Sequence, residues 1–580
     1  MEESPKAPWA LTPEALAKVQ KPVPEPPEPA LEEEPREPVA DLRRTTWREI
    51  AIAAGLALVA TVSVLCTYRG IGYSWDEAYY KAPAEMTVEW LGEFATARSR
   101  AVSRAVIDQF WAGPRDEATS RPLGITELPS VVKLSMGLSW ILTRGLWNEP
   151  WDDLNAFRLP AALAFGVSVF LIYLLTLNSY RRRAAVIAAI AFITMPRVFG
   201  HAHIAATETI TSAVVLLSIY CYFRGLNSPW WAVAFGVAYG IALDTKINAV
   251  LLAPVLLVWG HAFHRRSYVN NFFAMAFVAP VVWIALWPWL WHDTFARILE
   301  YLYYFSHHQQ TAVWYLGQTW GYGGPNAPWH YPIVMTLVTL PLPVLLFALF
   351  GLARTAVHCR WEYRGILFTA YAVVVLIHAS LPGAPKYDGT RLFFSLFPML
   401  AILAGGGADS LAGIIPFDRK IWGRWSVRQV AAAAFGALIA ANGIWAIASI
   451  HPHELSYFNI LTGGLTGARD RFEVTYWGEA LNEDVIEYFN KTLPAGARIK
   501  TLAMKSETLV HLQEWRVLRD DLVIDGPPPY DYWLMQNRRG FFGRAERYLY
   551  ERTPEKEFEF RGVPFFFLYS RKEAGDLAKP

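Results

Sequence analysis

The chain has 580 residues, of which 53% are hydrophobic and only 18% are charged, and its formal net charge is +2. Soluble globular domains carry charge on about a quarter of their residues, so this composition argues against an ordinary soluble protein. The near-neutral balance argues against a nucleic-acid partner, and three cysteines are too few for a disulfide framework.

The N-terminal segment, 1–45, is rich in proline and glutamate, as in the run KPVPEPPEPALEEEPREP. A segment of this composition cannot bury enough apolar surface to fold, so we predict a disordered cytoplasmic tail. The first apolar run begins near Ile50, which is too late for a typical cleavable signal peptide.

Long apolar runs fill the region 46–452, which we predict to be a transmembrane domain. A transmembrane helix needs about 20 predominantly apolar residues. Arginine and lysine are concentrated in every second connection, beginning near Arg48 and ending near Arg428, which predicts a cytoplasmic N-terminus and an external C-terminus. The fold class is therefore an α-helical polytopic membrane protein with about eleven transmembrane helices. The predicted spans are Glu49–Thr67, Leu159–Tyr180, Ala184–Phe199, Thr207–Phe223, Pro229–Leu243, Ile247–Phe263, Tyr268–Leu290, Tyr331–Gly351, Ile366–Leu381, Leu392–Ala412 and Val430–Ile450.

Residues 453–580 lack such apolar runs and predict a small C-terminal α/β domain outside the membrane. Ala480–Asn490 has a helical pattern. Arg498–Met504, Tyr530–Met535 and Val563–Tyr569 are typical of strands.

The first connection predicted to lie outside, Tyr68–Arg158, contains an acidic pair, Asp76 and Glu77, shortly after the first span. Ionisable groups at the end of a span are costly to keep there, which favours a functional role over an incidental one. Met86–Trp111 and Ile125–Trp147 repeat apolar residues at helical spacing but are interrupted by charges. We therefore predict helices that lie in the membrane interface.

Other loops predicted on the same side also carry ionisable groups. An ordinary explanation exists for each, because outer loops are polar anyway and cations at helix ends can extend towards the interface. The two histidines could ligate a metal, but hydrogen-bonded interfacial histidines are the competing interpretation of their spacing. The groups are His201, His203, Glu208, Asp244, Lys246, Lys386, Asp388 and Arg391.

Several short motifs follow one another in a fixed order. After Asp76–Glu77 come ELPSVVKL with Glu127, FRLPAALAFG, HIAATETITSA with Glu208, DTKINAVLLAP with Lys246, PWHYP with Tyr331, TRLFFSLFPMLAILAG with Arg391, and HPHELSYFNILTGG. Together they resemble the membrane glycosyltransferases of the C superfold, over roughly 48–479. The closest branch is the bacterial one that resembles protein O-mannosyltransferases and the lipid A aminoarabinose transferase. One departure is that the usual paired prolines are reduced to Pro129.

The resemblance implies a polyprenyl-phosphate sugar as donor, with chemistry at the outer face of a bacterial cytoplasmic (inner) membrane. The chain contains no GxxxxGK[ST], no strict GxGxxG and no DxD, so it lacks obvious machinery for a nucleotide sugar. We predict transfer of the sugar to an acceptor hydroxyl, with inversion. The acceptor is a glycan, a lipid or a protein side chain, and membrane lipids surround the protein.

Two chemical needs assign roles to the residues. The attacking hydroxyl must lose a proton, so Asp76 is predicted to be the general base, with Glu77 orienting it or binding the acceptor. The departing phosphate must be stabilised, for which Lys246 and Arg391 are the candidates.

The cofactor is left open, with a divalent metal ion as one option. Glu208 is predicted to hold such an ion or the sugar, and His201 and His203 are further candidate metal ligands. The remaining substrate-binding candidates are Glu127, Lys386 and Tyr331.

Three other functions remain possible on the sequence alone. An oligosaccharide ligase or oligosaccharyltransferase of the same superfold would release polyprenyl diphosphate instead of monophosphate. A transporter or flippase of polyprenyl-linked glycans would be expected to show inverted repeats and polar residues at mid-bilayer depth. A non-catalytic subunit of an envelope complex is the third.

Overall fold

The computed structural model describes residues 45–112, 129–146, 151–307, 310–321, 324–359, 362–416, 419–421, 423 and 425–578. The predicted tail, 1–45, lies outside these residues except for Thr45. The described part of the chain is mostly helical up to Ile450 and mixes helices with a small sheet beyond it. Ala40–Pro580 forms one compact unit.

Six of the described helices are long and apolar enough to cross a membrane. Asp152–Ser179 and Leu396–Ile414 are largely covered by other helices, whereas the remaining four expose apolar side chains such as Leu58, Phe277 and Trp445. An apolar helix surface that no protein covers is satisfied by lipid, and the chain is a multi-pass membrane protein. The six are Trp47–Cys66, Asp152–Ser179, Val269–Leu286, Tyr363–Ser380, Leu396–Ile414 and Val427–Ile450.

Further helices complete the described helical region. Four of them are apolar over 10–17 residues: Ser130–Thr143, Pro229–Leu243, Ile247–Phe263 and Leu342–Val357. The others are Trp75–Thr96, Arg98–Ala101, Arg104–Ile107, Arg182–Ile193, Pro196–His201, Thr207–Gly225, Thr294–Ser306 and Tyr331–Thr339. Two hairpins, β1 (Val313–Tyr315) with β2 (Gln318–Trp320) and β3 (Lys420–Ile421) with β4 (Trp425–Ser426), join neighbouring helices.

Proline interrupts two of the predicted spans. Proline has no N–H to donate and disfavours the helical conformation in the residue before it. The predicted span Ala184–Phe199 is therefore broken just before Pro196, and the predicted span Tyr331–Gly351 is broken at Pro341. The first break creates the short helix that carries His201.

The C-terminal segment contains a five-stranded mixed sheet with the order β6-β5-β7-β9-β8. β5 runs parallel to β6 and β7, whereas β9 is antiparallel to β7 and β8. Alternate residues of β7 pack on opposite faces, with Leu534 in the main core and Trp533 and Met535 in a separate cluster. The strands are β5 (Arg498–Leu502), β6 (Val523–Ile524), β7 (Tyr532–Gln536), β8 (Lys556–Phe560) and β9 (Val563–Ser570), and the helices are Gly464–Ala468, Glu483–Thr492, Glu507–Glu514, Arg544–Tyr550 and Arg571–Ala574.

Candidate functional site

The acidic pair lies in the first turn of the helix Trp75–Thr96. The Ser74 side chain accepts from the backbone N–H of Glu77, and the Glu77 carboxylate accepts from the backbone N–H of Ser74. This reciprocal capping box fixes the start of the helix, and with it the direction of both acidic side chains. Successive residues on a helix point about 100° apart, so Asp76 and Glu77 face different neighbours.

Asp76 forms a two-pronged ion pair with Arg391. Nη1 of Arg391 lies 3.2 Å from Oδ1 of Asp76, and Nη2 lies 2.6 Å from Oδ2. The Trp477 indole N–H donates to Oδ1 over 3.1 Å. The Asp76 side chain remains 19% exposed, so its carboxylate is fixed in direction and still reachable.

Arg391 is shared by three carboxylates. Besides Asp76, its Nη1 lies 2.8 Å from Oδ2 of Asp388, and its Nε lies 3.6 Å from Oε1 of Glu208. The guanidinium also stacks over the Trp477 ring at 4.6 Å. Burial alone would lower the pKa of Arg391, but the three carboxylates raise it well above its usual range. Arg391 therefore remains a cation in the site.

Lys246 supplies a second cation beside Arg391. Its Nζ donates to Oε1 of Glu208 over 2.7 Å, and Glu208 is buried in the first turn of the helix Thr207–Gly225. Lys246 keeps 18% of its side chain exposed, so its ammonium group is still partly accessible. The structure thus brings Asp76, Glu208, Lys246 and Arg391 together from four separate predicted loops.

Asp388 occupies a tight turn beside these groups. Its φ of 51° and the φ of 62° at Gly389 are both left-handed. Tyr331 donates from its hydroxyl to the Gly389 carbonyl over 3.2 Å and so supports this turn. Oδ1 of Asp388 accepts from Nη2 of Arg538 over 2.6 Å. Burial raises the pKa of the Asp388 carboxyl, although the neighbouring arginines act in the opposite direction.

Glu77 is held in a different place from Asp76 and makes no described contact with Arg391. Nε of Arg158 lies 2.7 Å from Oε1 of Glu77, and Nη2 lies 3.0 Å from Oε2. The backbone N–H of Ala205 also donates to Oε1 over 2.9 Å. Both side chains are almost fully buried. Glu77 therefore connects the start of its helix to the helix that carries Arg158 and to the segment at Ala205.

The three predicted metal ligands do not assemble into a metal site in the described part of the chain. His203 contacts the Thr67 hydroxyl at 2.9 Å and the Phe199 carbonyl at 2.8 Å, and Glu208 is paired with Lys246. Burial lowers the pKa of His201 to about 3 and that of His203 to about 4. No group of three or more His, Cys, Asp or Glu residues that could hold a metal ion occurs within the described ranges.

The remaining predicted substrate-binding residues have other surroundings. Lys386 is buried and donates to the carbonyls of Leu381 over 2.6 Å and Ala384 over 3.1 Å, and burial lowers its pKa. These bonds close the end of the helix Tyr363–Ser380. Glu127 lies outside the described residues.

Glu473 adds a buried carboxyl next to Arg538. Its Oε1 lies 3.8 Å from Nε of Arg538, and burial raises its pKa to about 7 even though Arg538 opposes the rise. The sequence does not single out either residue, because both lie in the segment predicted to be a separate soluble domain. Charged residues in such a segment usually lie on its surface.

The raised pKa of Glu473 predicts how stability depends on pH. An unfolded glutamate ionises near 4.3, so between about pH 4.3 and 7 the folded state binds a proton that the unfolded state has lost. This group therefore makes the protein less stable as pH rises through that window. Glu473→Gln should remove the effect. The melting temperature of the variant minus that of the wild type should therefore be larger at pH 7.5 than at pH 5. Glu487→Gln, at an exposed pair with Lys491, is the control. An equal difference at both pH values would contradict the prediction.

Residues 151–292 match the model of a protein family described as dolichyl-phosphate-mannose-protein mannosyltransferase. The matched segment includes Arg158, Glu208 and Lys246. The resemblance to membrane glycosyltransferases of the C superfold, predicted from the order of the motifs, is confirmed. No curated protein sequence matches the chain significantly.

Solved structures of two proteins are similar to the chain over most of its length. One is ArnT from Cupriavidus metallidurans bound to undecaprenyl phosphate, with a TM-score of 0.46, 15% identity, and coverage of 92% of this chain and 99% of ArnT. The other is the Archaeoglobus fulgidus oligosaccharyltransferase tethered with an acceptor peptide, with a TM-score of 0.48, 10% identity, and coverage of 91% and 74%.

Proposed function

We propose that this protein transfers a sugar from a polyprenyl-phosphate carrier to an acceptor hydroxyl, with inversion, at the outer face of a bacterial cytoplasmic membrane. The observation that carries the proposal is the fixed but reachable carboxylate of Asp76, held by Arg391 and Trp477 beside the pair of Lys246 and Glu208. A base with two cations close to it is what a displacement at a sugar phosphate requires. The match to a family that uses dolichyl-phosphate mannose supports the same donor class.

In the proposed reaction, the acceptor oxygen attacks the anomeric carbon while the bond from that carbon to the phosphate oxygen breaks. Asp76 takes the hydroxyl proton. An ionised carboxylate has about four acceptor positions, and Arg391 and Trp477 use three of them, two on Oδ1 and one on Oδ2. One position on Oδ2 remains to receive the proton.

The negative charge that develops on the leaving phosphate is stabilised by Arg391 and Lys246. The planar guanidinium suits two parallel bonds to phosphate oxygens, and the ammonium has donors beyond the one used by Glu208. The phosphate competes with Asp76 for Arg391, so donor binding loosens that ion pair and makes the carboxylate a better base. Glu77, Tyr331 and Lys386 act as positioning residues in this proposal.

The proposed topology has about eleven spans and interfacial helices in the first outer loop, and the same contacts support its placement of four loops on one side of the membrane. Asp76, Glu208, Lys246 and Arg391 come from loops that the basic-residue pattern assigns to one side of the membrane. Trp477 reaches them from the segment after the last span, which supports an external domain at 453–580. The proposed order is a tail at 1–45, a transmembrane transferase domain at 46–452 and that external domain.

The test uses purified protein in lipid nanodiscs with a panel of radiolabelled polyprenyl-phosphate sugars and an extract containing acceptors. We expect release of the polyprenyl monophosphate together with transfer of label to the acceptor. Release of polyprenyl diphosphate from diphosphate-linked donors alone would instead indicate an oligosaccharide ligase. Movement of an intact lipid-linked sugar across vesicles without cleavage would indicate a flippase.

A further inference from the structure

Arg538 brings a third cation to the site from the C-terminal segment. It lies just after β7, is only 1% exposed, and its Nη2 lies 2.6 Å from Oδ1 of Asp388. Its guanidinium lies 4.4 Å from the centre of the Trp75 ring and 3.9 Å from that of Phe541, and the two rings are nearly perpendicular to each other. Contact with both rings leaves the guanidinium little freedom to turn away from the carboxylate.

Asp388 links this arginine to the predicted base. One oxygen of Asp388 accepts from Arg538, and the other accepts from Arg391 over 2.8 Å. Arg391 in turn binds Asp76 through both terminal nitrogens. The order Arg538, Asp388, Arg391, Asp76 is thus a continuous row of alternating charges, and Trp75, which packs on Arg538, is the residue before Asp76.

We propose that Arg538 is a positioning residue for the sugar-transfer site. By neutralising Asp388, it keeps that carboxylate from drawing Arg391 away from Asp76 and from the donor phosphate. The inference rests on the proposed function and extends it, because it makes the C-terminal segment a working part of the site.

Charge balance supports this role. Asp76, Glu208 and Asp388 supply three carboxylates, while Lys246, Arg391 and Arg538 supply three cations. Glu473, 3.8 Å from Arg538, is a further carboxyl, but burial opposes its ionisation. Without Arg538, the buried Asp388 would keep one negative charge without its main partner, a few ångströms from the position of an anionic donor. Such a charge both repels phosphate and competes for Arg391, and its effect is large because the surroundings are dry.

The neighbouring Arg539 offers a matched control. It has the same charge and is adjacent in sequence, but its contacts are with Asp470 at 3.2 Å, with the Tyr550 hydroxyl and with the Trp314 and Tyr550 rings. None of these groups belongs to the row of charges. Arg539→Gln therefore removes one positive charge from the same segment without touching the row of charges.

The experiment compares Arg538→Gln, Arg539→Gln and the double variant Arg538→Gln/Asp388→Asn. Arg538→Gln is expected to raise the KM for the polyprenyl-phosphate sugar by about tenfold or more, with a smaller change in kcat, while Arg539→Gln stays close to wild type. The double variant removes both partners and restores neutrality, so it should recover most of the lost affinity. Asparagine tolerates the left-handed backbone at this position.

A second readout does not depend on transfer. Undecaprenyl phosphate added to nanodiscs should raise the melting temperature of the wild type, and this rise should be lost in Arg538→Gln and return in the double variant. If Arg538→Gln fails to fold, the inference is tested on the double variant alone, through its KM for the donor and its rise in melting temperature with undecaprenyl phosphate. A folded Arg538→Gln with wild-type KM and stabilisation, or a folded double variant without recovery, would overturn the inference. A wild type that transfers no sugar would instead overturn the proposed function.

Discussion

Asp76→Asn is expected to lower kcat for sugar transfer by about 10²–10⁴-fold, the usual contribution of a general base. The amide has the shape of the carboxylate but cannot accept the hydroxyl proton. Donor binding should not weaken, because the change removes a negative charge that competes with the phosphate for Arg391. The rate and KM would be measured by release of radiolabelled polyprenyl phosphate, with melting temperature as the check on folding.

Two variants should affect different kinetic constants, which distinguishes a general base from a positioning residue. Asp76→Asn should reduce kcat and spare KM, whereas Arg538→Gln should act mainly on KM. Asp484→Asn, an exposed aspartate in the first turn of Glu483–Thr492, is the control for the chemical change itself. A folded Asp76→Asn protein with normal kcat would show that another group takes the proton.

Arg158→Met is expected to destabilise the protein by about 3–5 kcal/mol, because it leaves the Glu77 carboxylate buried without its main partner. Arg158 also donates to the carbonyls of Ile71 at 3.1 Å and Gly72 at 2.7 Å, so the segment before the capped helix loses its anchor. Thermal and denaturant unfolding in detergent would measure the change. Activity should fall by more than the loss of folded protein, because the helix that carries Asp76 depends on the Glu77–Arg158 pair for its position.

The double variant Arg158→Met/Glu77→Met provides the critical comparison. Removing both charges should leave the protein more stable than Arg158→Met alone, since no buried charge remains uncompensated. Arg104→Met breaks a pair with Asp293 whose arginine side chain is 63% exposed, so it should change stability by about 0–1 kcal/mol. If Arg158→Met behaved like Arg104→Met, the structural role of Glu77 would be refuted.

The sequence is most informative about charged side chains that lie at the ends of apolar runs. Charged side chains at the ends of apolar runs are costly, and this argument favours a role for the pair Asp76–Glu77. For Glu208, Lys246 and Arg391 the sequence leaves an ordinary explanation open as well. The structure brings Asp76, Glu208, Lys246 and Arg391 together. The pattern of basic residues assigns their loops to one side of the membrane, so their proximity is consistent with the predicted topology.

The sequence does not separate the two members of the acidic pair. Neighbours in sequence are about 100° apart around a helix, and which direction faces the site depends on how the helix docks. Asp76 therefore meets Arg391, while Glu77 meets Arg158. The histidines are ambiguous for a related reason, because a hydrogen bond such as that between His203 and Thr67 depends on distant parts of the chain.

Arg538 and Glu473 cannot be predicted from the sequence as part of the site, because only tertiary contacts bring them there. Each lies in a stretch that is typical of a soluble domain, with no apolar run to make a charge conspicuous. Only the docking of β7 and its following loop buries them beside Asp388. The limits of the spans are also hard to predict from hydropathy alone. Pro196 breaks a helix that hydropathy predicts to be continuous.

The length of chain between contacting residues has a consequence for biosynthesis. Trp477 lies 401 positions after Asp76, and Arg391 lies 315 positions after it. Ribosomes make the chain from its N-terminus, so the helix Trp75–Thr96 and its Asp76 carboxylate exist long before the groups that direct them. The helices can enter the bilayer one after another, but the site forms only when the last segment folds back onto them. A growing chain therefore lacks the assembled site until Trp477 and Arg538 have been made.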